Sequence, residues 1–329
     1  MPVRDLHKKE FDEATQTKLA LYGDYVASWL PVFLNTKMPV STINIFDFFA
    51  GPGRDPNGNP GSPIIALERI SGALAGKHPD TIPPIHLYLN EYDSDKFTKL
   101  SRLSLPSELT EHVFLHFSSR DFADLFGEWA SIMEKPGAAN LVFVDQNGVK
   151  QMSREVFARL CLLPKTDFLF FLSSSFISRF REDSNFNKYL PLDQIDKAEL
   201  TNANAHRMIA EGYRKWIPAE RRRKYFLSHF SLKKEHSGNI HGLIFGSGSI
   251  IGIHKFLELC WEQDKVRGEA NFDIDAEDID ASAPRLFPEL DKPNKLQRFE
   301  AGLKQAILQG TLKTNRDLIY CALLNGFLP

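Results

Sequence analysis

Residues 46–67 read FDFFAGPGRDPNGNPGSPIIAL: an apolar run that breaks at Gly51 and Gly53 and resumes as helix at Pro63. Between these points Gly51, Gly53, Gly58 and Gly61 are interleaved with Pro52, Pro56 and Pro60. A loop that only joins a strand to a helix does not need these residues. A loop that brings backbone N–H groups close to a ligand does, because glycine reaches left-handed φ and presents no Cβ. The dinucleotide pattern G-x-G-x-x-G is not met, since Gly53 and Gly58 are too far apart and prolines intervene. A phosphate-binding P-loop needs Lys and then Ser or Thr after its last glycine, whereas Gly61 is followed by Ser62 and Pro63.

Outward from this loop the chain alternates strand and helix. Residues 17–35 carry Leu19, Tyr22, Val26, Leu30 and Phe33 at three-to-four spacing, which predicts an amphipathic helix. INIFDFFA (43–50) predicts a buried strand, and 62–76 a helix with Ser62 as N-cap. Further strands are expected at 84–93, 113–122, 140–148 and 166–176. This alternation implies a doubly wound parallel α/β sheet with all strand exits on one side, where such folds bind ligands. The exits carry Gly51 and Gly53, Glu91, Asp121, Asp145 and Ser173–Ser175. Beyond Phe176, residues 178–223 read as a helical insertion, and two strands around EHSG (235–238) as a final antiparallel hairpin. An acidic, proline-bearing linker (268–295) and a small helical tail (296–329) complete a chain whose first 267 residues form the main domain.

Composition sets broad limits. The 329 residues are 43% hydrophobic and 25% charged with a net charge of −2, so nucleic-acid or membrane binding would need a local patch. Three scattered cysteines, Cys161, Cys260 and Cys321, read as buried thiols, and the charged N-terminus is not a signal peptide. The expectation is a cytoplasmic protein without a membrane span.

A ligand that needs close backbone approach but little phosphate binding is S-adenosylmethionine (SAM). Glu91, at the end of the second strand, is placed to accept from ribose hydroxyls, although an acid there would serve NAD equally well. Asp47 is placed to orient the loop or the ligand's amino group, and Asp121 follows at the next exit. The run FDFFAGPG resembles the D-x-F-x-G-x-G motif of class I methyltransferases. Together with FVDQNGVK, FLSSSFISRF, IHGLIFGS and GEANFDID, it also resembles the three-Cys-motif partner protein family of bacteria, from about Lys18 to the C-terminus. The resemblance implies a class I methyltransferase-like domain and a neighbouring three-Cys-motif protein as partner. The cysteine motif belongs to that neighbour, and the family brings no assigned substrate.

Asp145-Gln146-Asn147-Gly148 sits where amino-methyltransferases of nucleic acids carry an acid or amide, two prolines and an aromatic that stacks on a flipped base. Here the acid is kept and the rest is lost, so these residues either face the acceptor or simply cap the next helix. Arg207, the run Arg221-Arg222-Arg223-Lys224, and Arg179 beyond the fifth strand are candidate contacts to tRNA or DNA, weighed against a solvated helix end. Glu269, Asn271, Asp273 and Asp275 alternate as oxygen ligands would, but without EF-hand spacing they read as a loop. GTLKTNRDLIYCALLNGF (310–327) resembles a helix-turn-helix or a plain helical hairpin. The leading expectation is SAM-dependent methyl transfer to a nucleic acid. Its rivals are a degenerate methyltransferase fold that only binds, and a metal-dependent nuclease-like effector. The sequence leaves the oligomeric state open.

Overall fold

The computed structural model describes residues 10–34, 39–146, 148–173, 177, 182–200, 204–233, 240–272, 274 and 294–329. In chain order the main elements are α1 (Glu13–Phe33), β1 (Thr42–Asp47), α2 (Ser62–Leu74), β2 (Ile85–Asn90), α3 (Ser94–Leu100), β3 (Val113–Ser118) and α4 (Phe122–Met133). They continue as β4 (Ala138–Val144), α5 (Arg154–Leu162), β5 (Thr166–Ser173), α6 (Ala205–Trp216), β6 (Phe226–Lys233) and β7 (Ile240–Ser247). The last are α7 (Ile250–Gln263), α8 (Lys295–Leu308) and α9 (Asn315–Leu324).

The strands form one seven-stranded sheet in the order β3-β2-β1-β4-β5-β7-β6. The first five pair in parallel, and β7 enters antiparallel between β5 and β6. Apolar side chains alternate between two buried layers. One packs α1, α2 and α7 against Ile43, Ile45, Leu87 and Phe143; the other packs α4, α5 and α6 against Phe46, Val142 and Phe168. Central strands covered on both faces have no need of a polar side, which is why β4 reads as an unbroken apolar run apart from Asn140. That residue is satisfied inside the sheet: it accepts from Asn44 Nδ2 (2.9 Å) and donates to Thr166 Oγ1 (3.0 Å) and the Met133 carbonyl (3.0 Å).

Two expectations change. The stretch 178–223 is not largely helical: its described part holds two short 3₁₀ turns, Ser184–Phe186 and Leu192–Gln194, before α6. The N-cap of α2 is Gly61 rather than Ser62, which occupies the first helical position ahead of Pro63. The expected tail docks on the main sheet. Leu323 is buried in the core, Tyr320 meets Phe226 edge-on, and Phe327 stacks on Phe299 at 4.3 Å. The described GEANFDID residues are likewise structural. Glu269 pairs with Lys295 (2.7 Å) and Arg207, and Asn271 Oδ1 accepts from the Lys233 N–H (2.8 Å). Asp273 and Asp275 lie outside the described residues. Burial alone would raise the Glu269 carboxyl; Lys295, His229 and Arg207 hold it down at about 2.

At the amino end of β5, Asp167 is buried and accepts from Ser247 Oγ (2.6 Å) and Tyr25 Oη (2.7 Å), tying α1, β5 and β7 together. Burial pushes its carboxyl from 3.8 up to about 6, against the pull of these hydrogen bonds. The folded protein therefore keeps a proton that the unfolded chain has already released between about pH 4 and 6, so this group's stabilisation fades as pH rises through that window. At about 1.4 kcal/mol per pH unit the effect is about 3 kcal/mol. Asp167→Asn is expected to gain about 2 kcal/mol relative to wild type between pH 4.5 and pH 7 when urea unfolding is compared at the two values.

Candidate cofactor and acceptor site

At the carboxyl end of the sheet, β1 lies between β2 and β4, the point where strand order reverses. Doubly wound folds open a crevice there. The register places Asp47 level with Leu89 of β2 and Phe143 of β4. Glu91 and Asp145 each lie two residues further on, which directs all three carboxyl groups to one side of the sheet exits.

The glycine loop is held open above them. Gly51 and Gly53 adopt φ of +62° and +87°, where any other residue would be strained. Gly61 N–H donates to the Gly53 carbonyl (2.8 Å), and a Cβ on Gly61 would sit 3.0 Å from that oxygen. Asp55 organises the loop's outer lobe. Its carboxylate accepts from the N–H groups of Phe11 (3.0 Å), Asn57 (2.9 Å) and Asn59 (2.9 Å) and from Asn59 Nδ2 (2.7 Å).

Asp47 is fully buried and accepts from Ser62 Oγ (2.6 Å) and the Phe49 N–H (3.1 Å). Burial drives its carboxyl from 3.8 up to about 7; these hydrogen bonds oppose the rise, and the charges of Asp145 and Glu91 add to it. Burial also raises Glu91, while the Asp93 N–H (2.8 Å), Lys96 and the Gly51 N–H restrain it. Because Ser62 opens α2, the helix start that would cradle a pyrophosphate in a dinucleotide fold faces a carboxyl group here.

Asp145 forms an ion pair with Lys18 of α1, whose ammonium lies 4.9 Å from the centre of the Phe171 ring. It caps no helix, because α5 begins later with Ser153 as its N-cap. Gln146 is 5% exposed and turned into the sheet: it donates to the Phe171 carbonyl (3.0 Å) and accepts from the Gln151 N–H (2.9 Å). Both ends of its amide are thus occupied by backbone, and it positions the loop instead of reaching an acceptor. Asn147, Arg179, Ser174 and Ser175 lie outside the described residues. Asp121 is the N-cap of α4, accepting from the Ala123 N–H (2.9 Å).

The basic run Arg221 to Lys224 does not reach the crevice. Phe226, which follows Lys224 closely, pairs with Ser247, and the adjacent Gly246 pairs with Phe168 near the start of β5. Arg221, Arg222, Arg223 and Lys224 therefore enter at the amino end of β5, opposite the strand exits. Arg221 also donates to the Cys161 carbonyl (3.0 Å) and lies over Tyr225. Arg207 is engaged by Glu269. Among the described residues no group of three or more His, Cys, Asp or Glu is arranged to hold a metal ion, and no helix is long and apolar enough to cross a membrane.

Sequence reasoning missed Lys18, Asp55 and Asn90. Asn90 is buried at the end of β2: it donates to the carbonyls of Phe48 (3.1 Å) and Arg120 (3.0 Å) and accepts from the Arg120 N–H (3.0 Å). It thereby staples three strand exits. The signal was present in LYLNEYD, where a polar amide precedes the acid on an otherwise apolar strand.

The fold is that of a class I methyltransferase. That assignment rests on the strand order and the single reversed strand β7. No protein-family model matches the chain, and no curated protein matches it. Among solved structures, spermidine synthase from Thermotoga maritima is 11% identical with a TM-score of 0.35, over 74% of this chain and 63% of that one. The chain thus spans less than two thirds of that protein's length. The plantazolicin methyltransferase BamL, solved with a triazolic desmethylPZN analog and SAH, is 6% identical with a TM-score of 0.32, over 72% and 86% of the two chains. Loganic acid methyltransferase with SAH is 12% identical with a TM-score of 0.28, over 78% and 85%. Likenesses this weak carry no argument, and the fold stands on the strand order and the reversed β7 alone.

Asp55→Ala would leave the N–H groups of Asn57 and Asn59 in the loop, and that of Phe11, without their acceptor. It is expected to lower the urea-unfolding midpoint and to make the 54–60 segment the first site of limited proteolysis.

Proposed function

We infer that the chain binds SAM at the Gly51–Gly53 loop and transfers its methyl group to a nucleic acid. The observation that carries the cofactor is electrostatic. Asp47, Glu91 and Asp145 converge on a crevice whose helix start already faces a carboxyl group, a field suited to a sulfonium and ammonium and hostile to a pyrophosphate. Gly51 and Gly53 would admit the nucleoside against bare backbone, and Glu91 would accept from ribose hydroxyls. Asp145, released from or bridged by Lys18, would face the acceptor. Methyl transfer is an in-line displacement at the sulfonium carbon, so positioning supplies most of the catalysis. The motifs shared with the three-Cys-motif partner family point the same way and add a neighbouring three-Cys protein as the expected partner.

A second reading has a specific observation behind it. Gln146 is spent on backbone and Asp145 on Lys18, as in a methyltransferase fold retained for binding. The two readings part at the cofactor.

Isothermal titration with SAM is expected to give micromolar affinity that Glu91→Ala lowers at least tenfold; absence of binding at millimolar SAM would leave the binding-only reading. The pH profile is a further check. Asp47 titrates at about 7 without ligand, and a cationic ligand favours its ionised form. SAM binding should therefore release protons below pH 7 and tighten several-fold between pH 6 and 8. S-adenosylhomocysteine, which lacks the sulfonium charge, should respond less, and Asp47→Asn should flatten the profile for both.

A further inference from the structure

Against the glycine loop lies a cleft of about 420 Å³, between the loop and the end of α3. Its walls are Pro52, Gly53, Arg54, Asp55 and Pro56 on the loop, Ile64 of α2, and Lys99, Leu100, Arg102 and Leu103. Three of these ten residues are cations, and the single acid is withdrawn from the field by the four hydrogen bonds that its carboxylate accepts. Arg54 gives one bond to the Gly58 carbonyl (2.7 Å). Lys99 and Arg102 are exposed and have no ion-pair partner among the described residues. The helix dipole accounts for Lys99, which sits in the last turn of α3, but not for Arg102, which lies beyond its end. Ile64, Leu100 and Leu103 give the cleft an apolar lining below the charges.

We propose that this cleft seats the phosphodiester backbone of the nucleic acid, with Arg54, Lys99 and Arg102 as phosphate contacts. The proposal rests on the nucleic-acid reading above and names the surface by which that substrate is held. Unpaired cations around a cleft with an apolar lining match a polymer that presents phosphates and a sugar or base face together. The alternative surface, Arg221 to Lys224, lies at the far end of the sheet, where Arg221 is occupied by the Cys161 carbonyl. The cleft, by contrast, shares Gly53 with the cofactor crevice, so a backbone lying in it borders the loop that would hold the methyl donor.

The test uses the full chain and a fluorescein-labelled single-stranded RNA 12-mer, with anisotropy read across a salt series. Lys99→Gln/Arg102→Gln is compared with a variant of equal charge change, Arg222→Gln/Arg223→Gln. The cleft variant is expected to lose about 1.4 from the slope of log K against log salt, about 0.7 per phosphate contact, and to bind at least tenfold more weakly at low salt. Its SAM titration should match wild type, which shows that the fold and the cofactor site are intact. The control variant should bind RNA as wild type does. Equal losses in both variants would overturn the proposal by reducing binding to net charge. Binding of tripolyphosphate in the cleft without binding of the RNA would also overturn it, in favour of a free polyphosphate ligand. SAM binding without RNA binding would sink this inference and leave the cofactor reading standing. RNA binding lost in the cleft variant, with no SAM binding in either protein, would do the reverse.

Discussion

A carboxyl group with no solvent exposure, that of Asp47, sits at the end of β1, and much of the site is built around its charge. Burial pushes Asp47 to about 7, with Asp145 and Glu91 adding repulsion. Three features make this tolerable. Ser62 and the Phe49 N–H donate to Asp47 directly, the start of α2 lends its positive end, and Lys18 neutralises Asp145 at the neighbouring exit. Remove any one and Asp47 would be driven further toward the neutral form. Helix α1 thus belongs to the site as much as to the core. Lys18 meets Asp145, Tyr22 stacks on Phe143 beside Asp47, and Tyr25 donates to Asp167, three turns of one helix meeting acids of three strands.

How much of this was legible follows from range. The strands announced themselves as short apolar runs that stop at glycine or a polar residue, because local periodicity and local breaking are both written within ten residues. Glu91 and Asp145 were readable for the same reason: a parallel sheet sends every exit to one side. Lys18 was not readable as Asp145's partner, since 127 residues separate them and nothing near Lys18 distinguishes it from a solvated lysine. Asp55 looked like one more turn former. Its role depends on the loop curling back so that Asn57, Asn59 and Phe11 all point their N–H groups at it.

The placing of the basic run shows a different limit. The hairpin was read correctly as antiparallel, but the location of Arg221 to Lys224 depends on which strand of the hairpin joins β5. Because β7 pairs with β5 and runs against it, β6 runs parallel to β5, and whatever precedes β6 arrives at the amino end of the sheet. Had β6 taken the inner place instead, the same run would have opened onto the crevice. Pairing choice, invisible to composition and periodicity, moved four cations from one end of the molecule to the other.

The glycine loop borders groups of opposite sign. Three carboxyl groups lie at the strand exits, and Arg54, Lys99 and Arg102 border the cleft against the loop. Such an arrangement solves a problem that any enzyme joining a cationic methyl donor to a polyanionic acceptor must face. If both charges shared one pocket, the phosphates would compete with the carboxylates for the sulfonium, and the basic residues that hold phosphate would repel the donor. A wall made of glycine and proline can be thin because it carries few side chains, yet it must not collapse into either side. Asp55 supplies that rigidity by collecting N–H groups from across the lobe and from Phe11. On the proposed reading the glycines would give access and the prolines and Asp55 stiffness, and the excess of both over what a simple connection needs would fit a loop that serves two ligands.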